Sequence, residues 1–200
     1  MRTRRLVDVL LASTGLVLFA PLMAVIGGSI RLMDGPPVLF RQTRVSMGGS
    51  LFQVLKFRTM NDKRDAEGRL LPDSMRTTAL GGFLRRFRLD ELPQLWNILT
   101  GAMTLIGPRP LLPPTIAEAG ERGRLRCTVR PGLTGWAQVN GNTLLKDQDK
   151  IALDLWYIAN RSLRLDLIIL ARTVKVALSG ERFNLLSIRR AHEGHSRGRG

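Results

Sequence analysis

The sequence predicts a mostly helical α/β domain with a small sheet, preceded by one apolar, proline-broken helix at the amino terminus. Three observations predict it. Residues 9–30 form a charge-free apolar run, two short extended segments meet at Gly48-Gly49, and beyond residue 78 apolar side chains recur at helical spacing. At 200 residues the chain is long enough for one compact domain with its own core and hardly long enough for two. The boundaries read from these signals are 1–33 for the apolar helix, 34–190 for the folded domain and 191–200 for a disordered basic tail.

The apolar run is long enough, as a helix, to cross a hydrocarbon core of about 30 Å. Arg2, Arg4 and Arg5 ahead of it resemble the start of a secretory signal, but Asp8 interrupts the pattern and no small-residue cleavage site follows, so cleavage is not expected. Pro21 falls mid-run, where its missing N–H and its ring predict a kink near Ala20. Arg31, Arg41 and Arg44 follow the run, so the positive-inside bias draws both ends to the cytoplasm. A helix broken at Pro21 that enters and leaves by the same leaflet satisfies both constraints. One ordinary span with a tolerated proline is the open alternative.

From Asp34 the composition becomes that of a water-facing domain. Gly35, Pro36 and Pro37 mark the break, and residues 38–45 and 51–57 read as a hairpin across Gly48-Gly49. Residues 61–74 are polar and read as a solvated loop without assigned chemistry. Residues 78–87 carry Leu80, Phe83, Leu84 and Phe87 at helical spacing beside Arg85, Arg86 and Arg88, which predicts a short amphipathic helix ending near Leu89. A new helix is expected to start at Asp90, with Asp90 at the N-cap and Pro93 in the first turn.

A helix start favours an ionised carboxylate and also phosphate oxygens. Adjacent carboxylates on a helix point about 100° apart, so Asp90 and Glu91 would face different partners. One could attack or hold metal while the other assists. Alternatively, Asp90 only caps and Glu91 only complements the dipole, and the residues taken alone favour that plainer role. Further on, Arg109 is fixed between Pro108 and Pro110, which suits bidentate contact with phosphate or a carboxylate partner. Residues 130–141 are dense in turn signals around Trp136, as in a loop lining a cavity, although Trp136 by itself fits core packing better. Residues 149–160 and 163–178 read as helices; the second has a face suited to a bilayer interface or to a core. After Ala191 nothing apolar remains to bury, hence the expected disorder.

Lys and Arg outnumber Asp and Glu by 31 to 16, a net charge of +15, so phosphate, nucleic acid or an anionic membrane face would each be attracted. Aromatic residues are only 6% of the chain and no zinc-finger spacing occurs, which weighs against nucleic acid. The lone Cys127 excludes an internal disulfide and reads as a small buried apolar residue.

Four motifs then carry a resemblance: Lys56-Phe57-Arg58-Thr59-Met60, Leu89-Asp90-Glu91-Leu92-Pro93-Gln94-Leu95, Gly107-Pro108-Arg109-Pro110, and the run from Arg130 through Gly135-Trp136 to Asn140-Gly141. Standing in this order behind a proline-broken apolar segment, they resemble the monotopic phosphoglycosyl transferases of the bacterial sugar transferase family, in the small form with little beyond the catalytic core. The resemblance implies a re-entrant membrane helix in the bacterial inner membrane, a catalytic domain on the cytoplasmic face and magnesium dependence. It also implies transfer of a sugar 1-phosphate from a UDP-sugar to polyprenyl (undecaprenyl) phosphate through a covalent phosphosugar on aspartate. Carried over, Asp90 becomes nucleophile and metal contact with Glu91 its partner, and Lys56, Arg58, Arg85 and Arg109 become the phosphate-facing cations. The bilayer is then a partner, nucleic acid is not, and a homodimer stays open. Ser46, Ala102, Asn142 and Asp147 depart from the usual pattern, which bears on donor recognition and not on reaction class. The rival reading is an inactive membrane scaffold for anionic lipids, against which the intact Asp90-Glu91 pair argues.

Overall fold

The structure, a computed structural model, describes residues 2–197. Helix α1 (Arg2–Met33) takes up the whole apolar run as one element with Pro21 inside it. Among the described residues it is the one helix long and apolar enough to cross a membrane. Its middle is bare: Val17, Leu18 and Val25 are each about two-thirds exposed or more.

After Met33 the chain turns at Gly35 into the expected hairpin of β1 (Leu39–Val45) and β2 (Leu51–Phe57). The strands are antiparallel, with Leu39 opposite Phe57 and Val45 opposite Leu51. Gly48 and Gly49, at φ 71° and 82°, take the left-handed conformation that glycine adopts at little cost. Helices α2 (Asp73–Arg76) and α3 (Ala79–Arg86) follow. Thr78 caps α3 by accepting from the Gly81 amide at 3.0 Å, and Leu84 is its buried anchor.

The next element differs from expectation. No helix starts at Asp90: Arg88 is left-handed at φ 56°, Leu89–Glu91 is a single 3-10 turn, and α4 (Gln94–Leu99) begins after Pro93. Asp90 therefore caps nothing. The left-handed residue reverses the chain after α3, and the proline, which lacks an N–H, stands at the start of α4 where the lack costs least.

Strand β3 (Thr104–Ile106) leads through α5 (Pro113–Glu118) and α6 (Gly120–Arg126) to β4 (Gly132–Thr134), which pairs with β3 in parallel. Helix α7 (Trp136–Val139), a 3-10 turn at Asn142–Leu144, α8 (Asp147–Ala159), α9 (Leu163–Ser179) and α10 (Leu185–Arg197) complete the chain. The segment expected to be disordered from residue 191 is helical as far as Arg197, because Ala191 is buried in the cluster built by α8 and His192 lies 2.8 Å from Asp149; residues 198–200 lie outside the described residues.

Three apolar clusters hold these elements. One joins α7, α8 and α9 around Trp136, Leu153, Tyr157 and Ile169, so Trp136 is core as its type suggested. Trp136 stacks on Trp156 at 5.2 Å, with the Arg172 guanidinium 4.9 Å above its ring. The second joins Ala12 of α1 to Val54, Leu95, Ile98 and Met103, and the third joins Ile26 and Ile30 of α1 to Phe57 and Leu84. Both halves of α1 thus pack on the same folded body. Polar ties reinforce the first half: Arg5 donates to the Ile98 and Leu99 carbonyls at 2.5 and 2.7 Å, buried Asp8 accepts from Thr104 Oγ1 and the Leu105 amide at 2.6 and 3.0 Å, and Arg4 pairs with Asp166 at 3.1 Å.

Candidate active site

A cleft of about 1130 Å³ opens between the β1–β2 hairpin, α3 and the 89–91 turn. All six residues singled out in the sequence, Lys56, Arg58, Arg85, Asp90, Glu91 and Arg109, line it. Asp90 and Glu91 stand in the 89–91 turn, and three other parts of the fold deliver the cations. Lys56 and Arg58 come from the end of β2, Arg85 from α3, and Arg109 from the loop after β3.

The hairpin is locked to the dyad by Asn97 of α4. Its amide donates to the Gln53 carbonyl at 2.8 Å and its oxygen accepts from the Leu55 amide at 3.0 Å, so the side chain reads the free edge of β2 as another strand would. Lys56 is thereby held over the 89–91 turn. Arg109 is fixed differently. Gly107, Gly132 and Gly135 bring two chain segments into backbone contact: a Cβ on Gly132 would stand 2.1 Å from the Gly107 nitrogen, and one on Gly135 would stand 2.0 Å from the Gly107 oxygen. Only glycine fits there. The glycine-rich motifs therefore set the position of Arg109 rather than touch a ligand. Its carbonyl also accepts from Arg126, whose guanidinium forms a buried 2.6 Å pair with Asp154.

The two carboxylates of the dyad lie in opposite environments. Glu91 is buried and accepts from Lys56 at 2.6 Å and Arg109 at 2.9 Å on one oxygen, with Arg88 3.7 Å from the other. Burial works to raise its pKa, but Arg109, Lys56 and Arg88 outweigh it and bring it down to about 2. Asp90 makes no side-chain hydrogen bond or ion pair among the described residues, and burial together with the Glu91 charge pushes its pKa above the ordinary aspartate value. Lys56 is lowered by burial, the Glu91 charge opposing, and Arg109 is raised, chiefly by Glu91. Glu91 is thus the fixed counter-ion, and Asp90 is the free carboxylate facing cations.

Arg85 and Arg58 are partly committed elsewhere. Arg85 Nε donates to Thr59 Oγ1 at 2.9 Å, leaving the rest of the guanidinium toward the cleft. Arg58 donates to the carbonyls of Asp34, Gly35 and Pro36 at 2.5, 2.6 and 2.9 Å, so it holds the linker behind α1 while lining the cleft. The cleft also contains residues that sequence reasoning did not single out as site residues: Arg88, Arg44, Arg76 and Glu181. Glu181 accepts from Arg88 at 2.6 Å, Asn142 at 2.5 Å, the Thr143 amide at 3.1 Å and the Thr143 hydroxyl. Burial opposes its ionisation, but the bonds from Thr143 and Asn142 and the Arg88 charge keep it below the usual carboxylate range. The departure at Asn142 is therefore a cleft-wall feature. Arg88 stood two residues from the dyad and was hidden by its assignment to a helix face; Glu181 carried no local signal at all.

A fold with a single apolar anchor helix and a cation-lined cleft around one uncommitted aspartate suits transfer of a phosphorylated group at a membrane. The bacterial sugar transferase family profile matches residues 1–180. The chain is 47% identical over 152 residues to the "Uncharacterized sugar transferase EpsL" of Bacillus subtilis, covering 76% of this chain and 75% of that one. It is 40% identical to the UDP-glucose:undecaprenyl-phosphate glucose-1-phosphate transferase of Escherichia coli, covering 86% of this chain and 39% of the relative. It is 39% identical to the UDP-N-acetylgalactosamine-undecaprenyl-phosphate N-acetylgalactosaminephosphotransferase of Aeromonas hydrophila, over 88% of this chain and 44% of the relative. The match thus spans less than half the length of these last two relatives. The chain belongs to the bacterial sugar transferase family, and it is an enzyme of the polyprenyl-phosphate phosphoglycosyl transferase class.

Proposed function

We propose that the protein transfers a sugar 1-phosphate from a UDP-sugar to undecaprenyl or a similar polyprenyl phosphate, releasing UMP. The observation that carries this reading is the uncommitted carboxylate of Asp90 in a cleft lined by Lys56, Arg85 and Arg109. A diphosphate brought into the cleft meets cations already held in place, and Asp90 stands free to attack. Its oxygen forms a bond to the sugar-linked phosphorus as the anhydride bond breaks, and UMP leaves with that electron pair. An oxygen of the polyprenyl phosphate then attacks the same phosphorus and frees Asp90, giving a polyprenyl diphosphate sugar. Glu91 keeps Lys56 and Arg109 aimed throughout.

Magnesium suits this site. Among the described residues no group of three His, Cys, Asp or Glu forms a cage, but Mg²⁺ is commonly held by one or two carboxylates plus substrate phosphates. Among the described residues lining the cleft, Asp90 is the carboxylate with no ion pair; it would hold the ion beside the diphosphate, and the ion would supply neutralisation of phosphate charge.

The attachment of both halves of α1 to one folded body supports a helix that enters and leaves by the same leaflet. Arg4 and Asp8 tie one end to Asp166 and Thr104, Ile30 packs near Leu84 at the other, and the exposed apolar stretch around Pro21 lies between. The basic residues flanking both ends favour the cytoplasmic face for the catalytic domain. The test is UMP release from a panel of UDP-sugars by the nanodisc-embedded protein with magnesium and polyprenyl phosphate. Release by wild type and none by Asp90→Asn supports the reading; equal behaviour of the two proteins refutes it.

A further inference from the structure

Arg88 and Glu91 line the charged cleft and also line a second cavity, of about 230 Å³, in which they are the only charged residues among the described walls. Its other walls are mostly apolar, from Leu92, Leu105 and Leu133 on one side to Leu170, Val176 and Ala177 of α9 on the other. The first three also pack against the cluster to which α1 contributes Ala12 and Leu16, so one wall of the cavity is backed by α1 and the other is α9 itself. Both helices present apolar residues to the outside: Val17 and Leu18 on α1, and on α9 Val174 and Leu178, the chain neighbours of the lining residues Thr173 and Ala177. The cavity reaches the surface at Leu170, which is 39% exposed.

We propose that this cavity holds the first isoprenoid units of the acceptor lipid, with the lipid's phosphate passing Arg88 into the cleft; the proposal rests on the transferase reading above. An acceptor with a dianion directly joined to a hydrocarbon chain needs a polar site and an apolar site that touch, because neither environment can solvate both halves. Arg88 and Glu91 are where the two meet. Arg88 is also tightly held: it is left-handed, pairs with Glu181 at 2.6 Å, and lies 3.7 Å from Glu91. Such a conformation persists only where the surroundings over-determine it. It places a guanidinium at the mouth between hydrocarbon and cleft, suited to a phosphate monoester crossing from one to the other. An ordinary phospholipid chain could fill the same space, so the test separates the two.

The full chain in nanodiscs is assayed with Ala177→Phe and Val176→Phe, which fill the cavity, beside Leu178→Phe on the outer face of α9. The cavity-filling variants raise the KM for polyprenyl phosphate by about tenfold, equal to about 1.4 kcal/mol, and leave the KM for the UDP-sugar within about twofold, while Leu178→Phe changes neither. Equal movement of both constants, or none, overturns the assignment. Wild-type protein is also irradiated with a polyprenyl phosphate carrying a diazirine on its first isoprene unit, which needs no variant to fold. Label on Leu170, Thr173 or Val176 that is displaced by polyprenyl phosphate and not by phosphatidylglycerol supports the proposal. Label elsewhere, or displaced equally by phosphatidylglycerol, overturns it. Labelling as expected with no UMP release from any donor would leave this site standing and remove the transferase reading.

Discussion

Removing the charge of Glu91 tests whether this carboxylate is the structural counter-ion of the cleft. In Glu91→Gln the Lys56, Arg109 and Arg88 cations remain while their common partner is neutral. The wild-type pKa falls from 4.5 to about 2 on folding. At about 1.36 kcal/mol per pH unit this is on the order of 3 kcal/mol, in line with the cost of breaking a buried pair from one side. The carboxyl itself is buried, so solvent screening removes little of it. The sign follows from linkage. A carboxyl whose folded pKa is depressed contributes its full stability above the unfolded value, and that contribution is lost as pH falls toward the folded value. Denaturant unfolding of wild type and Glu91→Gln in nanodiscs at neutral pH is expected to differ by about 3 kcal/mol, the gap closing as pH drops from 4.5 toward about 2. A gap of the same size at every pH would refute the reasoning, because a packing defect does not titrate.

Asp90 is predicted to behave in the opposite sense. Its folded pKa is raised, so the ionised form costs stability at neutral pH; Asp90→Asn is expected to abolish UMP release while melting no lower than wild type, and a lower melting temperature would contradict the environment described. Without magnesium, the same shift places protonation of Asp90 above the pH of an ordinary aspartate, which an infrared titration of the carboxyl band in wild type against Asp90→Asn measures directly. Asp154→Ala strands the Arg126 guanidinium in the core and is expected to destabilise by about 3–5 kcal/mol, read by denaturant midpoint; a loss under about 1 kcal/mol would count against a buried pair. Gly135→Ala drives a Cβ into the Gly107 carbonyl and should lower stability by at least about 1–3 kcal/mol while raising the donor KM through a displaced Arg109. If Gly135→Ala left both unchanged, the glycine contacts would not be what positions Arg109.

The hairpin was legible because its signals are local: two short runs rich in strand formers and a Gly-Gly turn fix strand, register and loop within nineteen residues, Leu39 to Phe57. The dyad was legible as residues but not as structure. Asp90 and Pro93 imitate a helix start, and only the left-handed Arg88, a conformation that pattern reading does not assign to arginine, puts the pair in a separate turn. The cations were found because motifs carry them, yet their division of labour was not. Whether Arg58 faces a phosphate or three carbonyls depends on where the linker at 34–36 folds back, which is a tertiary fact. Glu181 lies ninety residues beyond the dyad in a segment without turn or helix periodicity of note, and only the packing of α9 returns it to the cleft.

The linker also joins the membrane element to the chemistry. Asp34, the first residue after α1, gives its carbonyl to Arg58 and accepts from Thr78 Oγ1 at 3.2 Å, while Thr78 caps α3. Helix α3 in turn carries Arg85 into the cleft and ends at the reversal that sets Arg88, Asp90 and Glu91. In the proposed reaction these short contacts link the depth of α1 in a bilayer to the height of Asp90. A lipid-linked acceptor moves along the membrane but not far out of it, so the proposed reaction requires Asp90 at the level of the acceptor's phosphate. Attachment of both halves of α1 to the domain, with Arg58 clamping the exit, suits that requirement without a flexible tether.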